Sequence, residues 1–110
     1  MADPRIKQLR IKTGILKRTY KEKISYEKEA EQIQEKIRKM QEEGQEVYYI
    51  KKQDQLLQET QNVIPDTQKR LNAAYHDLKT LVETETELEE AEEYLAAKAV
   101  IEESASHITA

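Results

Sequence analysis

The sequence predicts an all-α protein: an elongated, antiparallel three-helix bundle of coiled-coil type, its second helix bent at Pro65. Three observations lead there. Two Gly and two Pro in 110 residues are too few to turn a many-stranded chain. Apolar residues make up 37% and charged ones 36%, a balance that suits long helices burying a narrow seam. Apolar positions recur at intervals of three and four over most of the length, and charges of both signs interleave between them, which argues against disorder.

Each element has its own signals. Asp3-Pro4 opens the first helix, an N-cap acceptor followed by a proline whose missing N–H costs nothing at the first helical position. Ile6, Leu9, Thr13, Leu16, Tyr20 and Ile24 form its seam. The period falters at Glu27 and Lys28 and resumes with Ala30, Ile33, Ile37 and Met40. Gly44 is the natural stop, suited to the left-handed conformation just past a helix end. Tyr48 and Tyr49 follow the turn, and at least one is expected to plug the bundle end.

The second helix is the clearest. Ile50, Gln53, Leu57, Thr60, Ile64, Thr67, Leu71, Ala74, Leu78 and Leu81 alternate steps of three and four without a break, the seam of a coiled-coil-like helix. Pro65 falls beside Ile64 on the outer side, so the carbonyl it leaves unbonded meets water, and one bent helix is expected. Thr86 and Glu89 read as a capping box opening the third helix. Ala91, Tyr94, Lys98, Ile101, Ala105 and Ile108 mark its seam, flanked by Leu88, Leu95 and Ala99. The expected organisation is one domain over 1–110, with helices at about 4–42, 47–82 and 87–106 and a frayed tail.

Charge is divided unevenly. Residues 1–42 carry +5 and residues 43–110 carry −9, giving the net −4. A basic first helix beside an acidic third helix biases assembly without dominating stability.

Most other function classes are excluded. There is no cysteine, hence no disulfide, thiol nucleophile or Cys-type zinc site. No apolar run approaches a membrane span or signal segment, so a soluble intracellular protein is expected. Net acidity argues against general nucleic-acid binding. His76 and His107 are the only imidazoles, and no phosphate loop or nucleophile elbow accompanies them. The glutamates of 83–93 lack the spacing of a calcium loop. The chain is read as a non-enzyme without cofactor or metal, binding another protein.

The chain resembles the tubulin-binding cofactor A (tubulin-specific chaperone A) family. The resemblance rests on Met1-Ala2-Asp3-Pro4-Arg5, Ile11-Lys12-Thr13-Gly14, Lys21-Glu22-Lys23 and Tyr26-Glu27-Lys28-Glu29-Ala30. It continues through Ile50-Lys51-Lys52-Gln53, Ile64-Pro65-Asp66, Ala73-Ala74-Tyr75 and Leu88-Glu89-Glu90-Ala91-Glu92-Glu93-Tyr94. It implies a three-helix chaperone that captures quasi-native β-tubulin without nucleotide on the way to the αβ-heterodimer. It further implies a functional link to other tubulin-folding cofactors, contact through helical faces, and a cytoplasmic, cytoskeleton-associated location. The alternative class is a helical scaffold or tethering coiled coil.

Candidate tubulin contacts follow from the helical wheel. Advancing about 100° per residue, Ile11 and Ile15 fall away from the first seam, edged by Lys7 and Arg18. They form either an exposed apolar strip with positive borders or the margin of a wide buried stripe. The outward face around Pro65 and Asp66 is the second candidate.

Overall fold

The computed structural model describes residues 3–109. Met1, Ala2 and Ala110, the ends of the expected 1–110 domain, lie outside them. The elements are helices α1 (Pro4–Glu42), α2 (Val47–Thr84) and α3 (Glu92–Ser104), with short 3-10 turns at Thr86–Leu88 and Ala105–His107. Among the described residues there is no strand. Where one domain was expected, the chain divides into two compact units. One joins Met1–Lys21 to Gln68–Ala110, and the other is Glu22–Thr67.

The first unit is a three-helix bundle whose directions can be read from its contacts. Arg5 pairs with Glu85 and Lys12 with Asp77, so numbers on α1 rise as those on α2 fall and the two helices are antiparallel. Arg10 meets Glu93, and Tyr20 meets His107, so α3 runs parallel to α1. Its core gathers Leu9 and Leu16 from α1, Leu71, Tyr75, Leu78 and Val82 from α2, and Tyr94, Ala97 and Val100 from α3. The Tyr94 hydroxyl donates to the Val82 carbonyl at 3.1 Å, which satisfies the one polar atom of a buried ring.

α1 starts as its sequence directs. The Arg5 backbone N–H donates to Asp3 Oδ1 at 2.9 Å, capping the helix, while the Arg5 guanidinium holds Asp3, Glu85 and Glu87 together. The hydrogen bonds from Arg5 keep the Asp3 carboxyl below its ordinary pKa.

The second unit contains residues 22–42 of α1 and 47–67 of α2, joined by a tight turn. Gln45 N–H donates to the Met40 carbonyl at 3.0 Å and Gly44 N–H to Gln41 at 3.2 Å. This is the Schellman pattern, and it requires the positive φ of 67° found at Gly44. Ala30, Ile33, Ile37 and Met40 are buried from one helix. The facing seam is poorer: Thr60 and Thr67 are buried, with hydroxyls donating to the Leu56 and Val63 carbonyls. α2 continues unbroken through Pro65.

Several expectations need correction. The α1 seam does not falter after Leu16. It passes through buried Thr19 and Lys23 and half-buried Tyr26 to Ala30, keeping the three-four spacing, while Ile24 is exposed. Lys23 is accommodated because its stem can lie along the seam while its ammonium reaches Glu27 at 3.3 Å. The Thr86–Glu89 capping box does not form. Glu85 precedes a 3-10 turn without a side-chain cap, Leu88 and Ala91 turn inward against the core, and α3 begins only at Glu92. On α3, Ala97, Val100 and Ser104 are buried, whereas the expected seam residues Lys98 and Ala105 are exposed. The tail is docked, not frayed: Gln68 Nε2 donates to the His107 carbonyl, and Asn72 bonds Thr109, each at 2.9 Å. Neither Tyr48 nor Tyr49 plugs anything. Both are exposed, with rings edge-on at 5.3 Å.

Gly14 lies inside α1, and a Cβ there would meet only the Arg18 guanidinium, at 3.2 Å. That mobile group can yield, so Gly14→Ala should stabilise the protein by about 1 kcal/mol through helix propensity. Urea unfolding monitored by circular dichroism would show it.

Candidate interaction surface

Among the described residues, the main clefts are open to solvent. Both histidines serve as ring neighbours of tyrosines, His76 beside Tyr75 and His107 beside Tyr20. Among the described residues no cluster of three or more acidic or imidazole groups is placed to hold a metal. No helix there is long and apolar enough to cross a membrane. What remains is surface, and its informative parts are exposed apolar residues.

In the first unit, Ile11 and Ile15 lie one turn apart on α1 and are 43% and 42% exposed. They face away from the seam because α1 already fills its core side with Ile6, Leu9, Leu16 and Tyr20. Lys7 and Arg18 are exposed on the same side. Neither makes an ion pair among the described residues, whereas Arg5, Arg10 and Lys12 are engaged by Glu85, Glu93 and Asp77. The four α1 candidates thus form one apolar strip with cationic ends.

Next to that strip lies a shallow groove of about 570 Å³, lined by Ile15 and Thr19 of α1 and by Arg70, Ala73, Ala74 and Asp77 of α2. The α2 contribution was missed from sequence. A signal was available: Arg70, Ala73 and Asp77 follow i, i+3, i+7 on the flank of the seam, beside Ala74, which was read as seam. In the second unit Pro65 and Asp66 are both exposed on α2. Tyr49, Leu56 and Val63, seven residues apart, are exposed there as well.

A surface of this kind suits protein binding, and the comparisons with known proteins give it a family. The family model described as Tubulin binding cofactor A matches residues 4–101. The chain belongs to the tubulin binding cofactor A family. It is 57% identical over 102 residues to the Homo sapiens tubulin-specific chaperone A, covering 93% of this chain and 94% of that protein. The fold is similar to the solved human tubulin chaperone cofactor A, with a TM-score of 0.84, 52% identity, and coverage of 93% and 99% of the two chains. It is also similar to the crystal structure of tubulin folding cofactor A from Arabidopsis thaliana, at a TM-score of 0.81 and 37% identity, covering 94% and 97%. The all-α, three-helix architecture expected from periodicity is therefore the architecture of the cofactor A family.

Proposed function

We propose that this protein is a cytoplasmic tubulin-folding chaperone that captures quasi-native β-tubulin without nucleotide, upstream of αβ-heterodimer assembly and linked to the other tubulin-folding cofactors. Family membership across nearly the whole chain supports the client class. The observation that carries the mechanism is the strip of Ile11 and Ile15 between Lys7 and Arg18, apolar area left in water on a rigid helix. A holdase needs such a face. It covers client surface that would otherwise be exposed, and a preformed helix loses little conformational entropy on binding. The positive ends guide encounter with an acidic client. No step in this scheme requires a bound nucleotide or metal.

The test is capture of freshly translated tubulins released from the cytosolic chaperonin, read by native-gel shift. β-Tubulin should shift with or without ATP, and α-tubulin and assembled heterodimer should not. Equal binding of both tubulins, or of neither, would falsify this reading. General association with unrelated coiled coils would favour the scaffold.

A further inference from the structure

We propose that the groove between α1 and α2 in the first unit seats one acidic amphipathic helix of the captured client. This rests on the tubulin capture proposed above and specifies the client element that enters. The groove exists because α3 covers only one side of the α1–α2 pair. α3 and the turns on either side of it occupy Arg5, Arg10 and Tyr20 through Glu85, Glu87, Glu93 and His107. The groove lining comes from α1 and α2 alone.

Three features select the occupant. The floor is small on one side, Ala73 and Ala74, and branched on the other, Ile15, so a third helix could approach both walls at the 8–10 Å or so of ordinary helix packing. The walls are helices, whose backbone N–H and C=O groups are spent internally, so the groove has no strand edge for an extended segment to pair with. An amphipathic helix with apolar anchors at i, i+3, i+4 and i+7 can instead fill it by side chains alone. The third feature is charge. Arg5 and Arg10, on the α3 side of α1, are matched by glutamates, while Lys7 and Arg18, beside the exposed isoleucines, have no ion-pair partner among the described residues. Asp77, the acid in the lining, is engaged by Lys12. A helix flanked by Asp and Glu meets complementary charge there, and a basic one meets repulsion.

The experiment uses the full chain in two arms. Ala73→Trp fills the groove from an exposed position and should reduce β-tubulin capture at least tenfold while the melting temperature stays within a few degrees of the parent. The second arm identifies the occupant. Because the chain has no cysteine, Lys69→Cys provides a single attachment point for a benzophenone crosslinker, exposed on α2 and one turn from Ala73. Irradiation with captured β-tubulin should place the adduct on an acidic helical segment of the client. Undiminished capture by a stably folded Ala73→Trp protein would overturn the groove and leave the chaperone reading intact. An adduct on a basic, extended or loop segment would overturn the occupant. Failure of the unsubstituted protein to capture β-tubulin would instead remove the function on which the proposal rests.

Discussion

Replacing Leu78 with Ala should lower the melting temperature by on the order of 10 °C or more. Leu78 is fully buried, in the same cluster as Leu9, Leu16, Leu71 and Tyr75. Truncating such a residue removes its transfer free energy and leaves a cavity that rigid helices fill poorly, a cost of about 2–5 kcal/mol. In a domain of about 100 residues each kcal/mol shifts the midpoint by roughly 4–8 °C. Leu95→Ala is the matched control, since Leu95 is 56% exposed. Surface changes of that kind stay within about 0.5 kcal/mol. Similar midpoints for the two variants in a thermal melt would mean that the first unit is not held by this core.

The double substitution Ile11→Gln with Ile15→Gln should have the opposite profile: capture of β-tubulin falls at least tenfold while the melting temperature moves by only a few degrees. Both side chains lie outside the buried core and are more than two-fifths exposed, so less burial is at stake than at a core position, and Gln keeps good helix propensity. Tenfold corresponds to about 1.4 kcal/mol, within what truncating one or two central apolar contacts costs at an interface. A large drop in stability would show that the isoleucines are the margin of a wide buried stripe. A stable double variant with full capture would remove the strip from the binding surface.

Much of this fold was legible because α2 alternates large apolar and small polar residues with high contrast, so all its seam positions from Ile50 to Leu81 are buried or half-buried. α1 was harder at one point. Thr19 and Lys23 keep the period, but a lysine on a seam looks like an interruption until its carboxylate partner at Glu27 is seen. α3 was harder throughout. Ala96, Ala97, Ala99 and Ala105 are chemically alike, so periodicity had almost nothing to distinguish a buried alanine from an exposed one. The start of α3 was displaced because Arg5, some eighty residues upstream, engages the segment that local capping rules would have made helical. The candidate strip on α1 came from a wheel drawn on a single helix. Its α2 neighbours depend on how two helices face each other, which one periodic pattern does not encode.

The first unit is assembled from the two ends of the chain, with the second unit inserted between them. That connectivity gives folding a direction. The hairpin around Gly44 needs only short loops to close and can zip locally, whereas the clamp from Arg5 to Glu85 spans 80 residues. Closing so long a loop in a free coil costs entropy before any contact rewards it, but a hairpin already formed in the middle shortens the effective path. The strip carrying Ile11 and Ile15 is synthesised among the first residues, yet the groove beside it is complete only after the residues of α2 have returned alongside α1. A nascent chain thus carries its apolar strip well before the proposed groove can form, which requires synthesis at least through Asp77.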